Sequence, residues 1–175
     1  AGIRAAGSGV LAAAGIGLDD VSWFDLYSCF PAAVEAAVDA LGLEATDQRG
    51  FTVTGGLPYH GGPGNNYVSH SIVEMARRCR ADPKGVGMVS GLGWYITKHS
   101  VGLWSAAPPP KGWQAPDMTG VQASIDSTAL HVVEAGAAVG TARIDGYTVV
   151  HDRDTGPASV PVFASPLAGH RVVAR

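Results

Sequence analysis

Residues 52–67 read TVTGGLPYHGGPGNNY, and the fold turns on how this stretch is taken. It packs five glycines and two prolines between an apolar strand signal and a helical one. So many glycines point either to backbone angles closed to other residues or to a ligand lying against the main chain. The stretch runs straight into a helical pattern. A helix N-terminus offers unpaired N–H groups that favour phosphate, carboxylate or a polarised carbonyl oxygen. The competing reading is a surface turn that needs glycine for geometry alone.

Working upstream, residues 1–14 are alanine-rich, with Ile3, Val10, Leu11 and Ala14 on one helical face and Gly15 and Gly17 as the stop. Gly7 and Gly9 weaken that helix. Residues 21–27 form an aromatic and β-branched run that predicts a strand. Pro31 opens a helix whose buried stripe is Val34, Ala37, Val38 and Leu41, closed by Gly42. A polar loop then leads to a short strand at residues 51–54. Downstream, the spacing of Val68, Ile72, Met75, Ala76 and Cys79 predicts a helix over 66–80, ended by Asp82-Pro83. Residues 85–90 read as a buried strand, followed by a GLGW turn and a further run with Val101, Leu103 and Trp104. Strand and helix alternate, which indicates an α/β layer structure.

After residue 107 the pattern changes. APPPKGWQAP is a proline-rich linker expected to run extended. Beyond it Ala142, Ile144, Tyr147, Val149, Val160, Val162 and Ala164 suggest strands joined across HDRDTGP, with a last strand at 171–174. The division expected is 1–107, a linker at 108–121, and a small β module at 122–175 that reads as truncated. Ala1 falls inside a helical pattern and Arg175 follows a strand-like run, so both ends read as cut.

Composition narrows the function. With 46% hydrophobic and 15% charged residues, a net charge of -3 and a pI near 6, the chain is globular and has no electrostatic case for nucleic acid. No apolar run reaches a membrane span and no signal peptide is visible, which predicts a cytoplasmic protein. His60, His70, His99, His131, His151 and His170 show none of the short pairings of a zinc site, so no metal is expected. The glycines match neither a phosphate-binding loop nor a dinucleotide fingerprint. Cys29 and Cys79 read as free thiols. Cys29, just before a helix start, is either a stabilised thiolate or an inert packed cysteine.

Taken together, DLYSCFP, GGLPYHGGPGNNY and GVGMVSGLGW resemble the C-terminal half of the thiolase superfamily. There a NEAF-type motif, a GGL…GHP loop and a C-x-G turn meet at the active site, and the sterol-carrier-type branch has a cysteine-phenylalanine pair like Cys29 and Phe30. The later segment resembles the extra C-terminal domain of thiolase-like proteins type 1, which is similar to an OB-type barrel. The resemblance implies an α/β fold, the C-terminal half of a thiolase: a mixed sheet with helices on both faces, followed by a small all-β, OB-like module. It also implies a missing N-terminal half, in the same chain or a companion, that carries the nucleophilic cysteine.

The same resemblance places Tyr27 where thiolases carry the NEAF asparagine, Gly62 where they carry the GHP histidine, and Ser90 where they carry the acid/base cysteine. Losing one oxyanion donor costs on the order of 10² to 10³ in rate. Serine replaces cysteine poorly, since a thiol ionises near about pH 8.5 and an alcohol needs an adjacent base. Ordinary thiolase turnover is therefore not expected. The site residues implied are His60, Ser90 and Tyr27 for catalysis, and Gly61, Gly62, Asn65, Asn66 and Cys29 for binding CoA or an acyl-CoA, with no permanently bound cofactor. The implied function is thioester binding or acyl transfer in lipid metabolism; the alternatives are a non-catalytic CoA-ester binder or scaffold, and an aldolase-type cleavage of CoA thioesters.

Overall fold

A computed structural model describes residues 1–110, 112–129, 136, 139–166 and 171–174; His131, His170 and Arg175 lie outside the described residues. The chain divides into two compact units after Gln122. The first unit holds α1 (Gly2–Ala14), β1 (Trp23–Asp25), α2 (Pro31–Leu41), the one-turn α3 (Leu57–His60), α4 (Tyr67–Ala81), β2 (Val86–Gly93) and β3 (Lys98–Ser105). These strands make one mixed sheet in the order β1-β2-β3, with β1 parallel and β3 antiparallel to β2.

The helix limits follow from local chemistry. Gly15 and Gly42 close α1 and α2 in the left-handed conformation at φ 71° and 80°, and Pro31 opens α2. Gly7, out of place by propensity, is buried where Leu41 of α2 occupies the space a side chain would need. The glycine is what lets α1 and α2 close up.

Side chains alternate across the sheet with period two. Phe24, Leu26 and Met88, all 0% exposed, face α1 and α2 and pack with Ile3, Ala37 and Val38. Full burial of each contributes about 1.5–3 kcal/mol. Trp23, Val89 and Trp104 face the other way, against Met75 and Cys79 of α4. Helices therefore cover both faces of a mixed sheet, as expected.

Three local expectations are corrected. Residues 51–54 are not a strand. Their polar groups turn instead to the Asp25 carboxyl, which is 1% exposed: Oδ2 accepts from Thr52 Oγ1 (3.0 Å), Val53 N (2.9 Å), Thr54 N (3.3 Å) and Thr54 Oγ1 (3.1 Å). Its Oδ1 accepts from Ser71 Oγ at 2.6 Å. For the same reason the buried face of α4 centres on Tyr67, Ser71, Met75 and Cys79, while Val68, Ile72 and Ala76 are half-buried. A polar residue occupies the inner face because its partner is inside.

The third concerns GLGW. Gly91 to Gly93 continue β2, and the turn is Trp94 to Thr97, with Trp94 at φ 53° and Ile96 at φ 61°. A left-handed backbone costs a side-chain-bearing residue roughly 1–2 kcal/mol. The His99 ring holds this turn through Nε2 on the Ile96 carbonyl at 3.1 Å.

Arg49 fixes the polar loop. It donates to the Leu18 and Val21 carbonyls, lies 4.8 Å from the Phe24 ring centroid, and pairs with Asp47 at 2.6 Å. Those hydrogen bonds hold the Asp47 carboxyl down at about 2.

Beyond α5 (Val121–Ser127), the regular elements among the described residues of the second unit are strands. Strand β4 (Ala142–Tyr147) pairs with β7 (Val162–Pro166), which pairs with β8 (Val172–Ala174); β5 (Val150–Asp152) and β6 (Gly156–Ser159) form a hairpin. Its turn is set by Asp152 Oδ1, which accepts from Asp154 N, Thr155 N and Thr155 Oγ1. Ala164 is buried, whereas Ile144, Tyr147, Phe163 and Val173 are exposed. Among the described residues no helix is long and apolar enough to cross a membrane.

Asp25→Ala is expected to lower the unfolding free energy by on the order of 3 kcal/mol, since each buried donor left unpaired costs about 1–3 kcal/mol; urea unfolding measures it. Because its folded value is depressed, the Asp47 pair's contribution to stability is complete above the ordinary carboxylate range and is lost as pH falls towards about 2. A carboxyl-carbon NMR titration of Asp47 reads this directly.

Candidate functional site

A cavity of about 290 Å³ opens between the end of β1, the loop before α4, and the β2–β3 hairpin. Tyr27, Asn65, Tyr67, Gly91, Lys98 and Ser100 are among its walls. Three stretches far apart in sequence thus meet at one end of the sheet. They are the stretches singled out by their motifs.

The Asp25 cluster holds the cavity wall in place. Thr54 gives its single hydroxyl proton to Asp25, so Tyr67 Oη donates to Thr54 Oγ1 at 2.8 Å. The Tyr67 ring, 1% exposed, is thereby fixed, and Tyr27 packs edge-on against it with centroids 5.5 Å apart. Burial first, then the neighbouring Cys29 and Tyr67, raises the Tyr27 phenol above its ordinary value. Tyr27 therefore presents a protonated hydroxyl, a donor, at neutral pH. The glycine-rich loop is pinned at its start by Ser28, whose Oγ accepts from Leu57 N at 3.1 Å and would sit 2.8 Å from any Cβ on Gly56. Glycine at 56, with φ 84°, is required twice over.

Of the residues expected to act, Tyr27 and Asn65 line the cavity. Ser90 does not: it is 3% exposed and its Oγ accepts from Tyr27 N at 2.9 Å, so it fixes the strand end that carries the phenol. Gly91, one residue on, is the β2 position that meets the cavity. His60 closes the one-turn α3 within the glycine-rich loop and is exposed, with Nδ1 on the Thr54 carbonyl at 3.2 Å and its ring 5.1 Å from that of His70. Gly61 and Gly62 are exposed on the same loop, and a side chain at Gly62 would meet Leu57 Cδ2 at 3.4 Å, an ordinary contact. Asn66 stands at the N-cap of α4 without a side-chain cap bond, and its Oδ1 accepts from Ser69 Oγ at 2.7 Å. Cys29 is a half-exposed free thiol; Cys79 is buried, with its thiol pushed up by burial. Among the described residues no three metal-ligating side chains cluster.

Lys98 and Ser100 belong to the site and were not foreseen. Their signal was the run KHS following GLGW, which a tight hairpin brings back beside Gly91 and Gly93. A larger groove of about 870 Å³ between α1, β3 and the proline-rich segment is apolar and holds none of the expected residues.

No protein-family model and no curated protein matches the chain. Among solved structures it is similar to a monomeric SCP2-thiolase-like protein type 1 from Mycobacterium smegmatis, with 40% identity and a TM-score of 0.85 over 98% of this chain. The fold is thus a thiolase-like one. The chain spans about 37% of that protein's length.

Ser90→Ala is expected to cost about 1 kcal/mol of stability, the net worth of one hydrogen bond. Urea unfolding measures the loss, and the Tyr27 amide, freed of its acceptor, should shift in the NMR spectrum.

Proposed function

We propose that this chain is a portion of a thiolase-superfamily protein and that its cavity binds the acyl end of CoA or a related thioester. The observation that carries this reading is convergence: the stretches that resemble the NEAF, GHP and C-x-G motifs build one cavity, walled by Tyr27, Asn65 and Gly91. Hydrogen-bond donors line it, as a thioester oxygen requires. On this reading the rest of the thiolase fold comes from chain outside these 175 residues or from a companion chain, and the setting is cytoplasmic lipid metabolism.

Binding without ordinary thiolysis is the form the residues favour. Gly62 offers no side-chain donor where the resemblance puts histidine, and Ser90, where it puts the proton-moving cysteine, carries no thiol and is buried against the Tyr27 backbone. Tyr27 supports one further reading. It lines the cavity and carries a protonated hydroxyl, which on that reading would serve aldolase-type cleavage of a CoA thioester as the proton donor.

Calorimetric titration with acetyl-CoA and a thiolysis assay test the proposal. Binding without turnover is expected, and Asn65→Ala should weaken binding roughly 3- to 10-fold, the worth of one donor, without changing the melting temperature. His60→Ala, outside the cavity, should bind as the parent does. Absence of any CoA-ester binding would sink the proposal.

A further inference from the structure

Strand β2 reaches the cavity with no side chain of its own at two successive positions on one face, Gly91 and Gly93. In the β2–β3 register Gly91 lies opposite Ser100, and Gly93 opposite Lys98. A Cβ built on Gly91 would come within 2.6 Å of Ser100 Oγ and 3.5 Å of Val68 Cγ2. One built on Gly93 would lie 3.3 Å from Lys98 Cβ and 3.6 Å from its Cδ. Side chains of β3 therefore lie across β2, in the space that two glycines leave free. The polar floor of the cavity is supplied by the neighbouring strand.

The chemistry of the lining has one sign. Tyr27 presents a hydroxyl, Asn65 an amide, Ser100 a hydroxyl and Lys98 an ammonium, and no aspartate or glutamate lines the cavity. Tyr27 is a neutral donor at neutral pH, its phenol ordinarily ionising only near about 10 and raised further by burial. The Asp25 carboxyl is taken up by Thr52, Val53, Thr54 and Ser71. Lys98 has no ion-pair partner among the described residues. Donors in excess and one uncompensated positive charge suit an anionic group. The volume, about 290 Å³, sits at the low end of the roughly 300–1,000 Å³ typical of ligand pockets, which limits that group to a short one.

We propose that Lys98 and Ser100 form the acyl-recognition strip of the cavity, and that it selects a short acyl group ending in a carboxylate. The proposal rests on the thioester reading above and names the substrate class for it. Ser100 donates to one carboxylate oxygen, and Lys98 pairs with the charge along its stem over Gly93. Neither residue needs to transfer a proton.

Succinyl-CoA and butyryl-CoA have acyl chains of equal length and differ in terminal charge, so their calorimetric titration isolates the strip. The parent chain should bind succinyl-CoA about 10-fold more tightly, the worth of one charge-assisted hydrogen bond. Lys98→Met should bring the two esters to near-equal affinity and Ser100→Ala should narrow the gap, both with the parent's melting temperature, since both side chains are exposed. Equal affinities in the parent, or a preference that survives Lys98→Met, would overturn the proposal. If neither ester binds, the thioester reading fails by itself, and free succinate against free butyrate at millimolar concentration decides the strip. NMR shifts at Lys98 and Ser100 with succinate alone sustain it; no shift with either acid overturns it.

Discussion

The carboxyl of Asp25 sits at the end of β1 and gathers in the polar groups of residues 52–54, a segment with the composition of a strand. Five donors converge on two oxygens, four from residues 52–54 and one from the inner face of α4. A buried acceptor satisfied so fully fixes everything attached to its donors. Through Thr52 and Thr54 the fixing extends along the backbone, because their hydroxyls also accept from the N–H groups of Gly55 and Gly56. The start of the glycine-rich loop, the anchoring of α4 through Ser71 and the ring of Tyr67 thus all trace to one side chain.

That constraint explains how a cavity persists beside so much glycine. Glycine costs chain entropy on folding and supplies no packing. Here the rigid parts are the sheet end and the N-terminus of α4, both tied to Asp25, and the glycines span between them. The bare β2 positions then act as floor space. Lys98 and Ser100 lie there because Gly91 and Gly93 leave room, so side-chain loss on one strand becomes side-chain presentation by the next. On the proposed reading binding and turnover chemistry separate: donors line the cavity, while Gly62 and the buried Ser90, which resemble the thiolase histidine and cysteine positions, present none to it.

Much of the fold was legible in the residues. Period-3.6 stripes and the Gly15, Pro31 and Gly42 punctuation mark α1 and α2 to within a residue, and aromatic, β-branched and buried apolar runs mark the strands of the sheet. Residues 51–54 misled because FTVT has strand composition, and nothing local reveals that a carboxyl 27 residues earlier takes up Thr52. Ser71 on the inner face of α4 was hidden for the same reason. The site was half legible. Motif resemblance found Tyr27 and Asn65, but the offset between Ser90 and Gly91 depends on which way a strand residue points, and Lys98 and Ser100 enter only through hairpin register. The turn itself was read three residues early, since Trp94 and Ile96 adopt left-handed angles that composition assigns to glycines such as Gly91 and Gly93.

Amide hydrogen exchange at Val53 is the most direct test of the role given to Asp25. The Val53 N–H sits in a segment without regular secondary structure, and its partner is Asp25 Oδ2 at 2.9 Å. If that carboxyl organises the site, Val53 exchanges as slowly as the core amides of β2 at Met88 and Val89, opening only with global unfolding. Exchange as fast as at the exposed residues Gly62 and Asn65 would contradict the account.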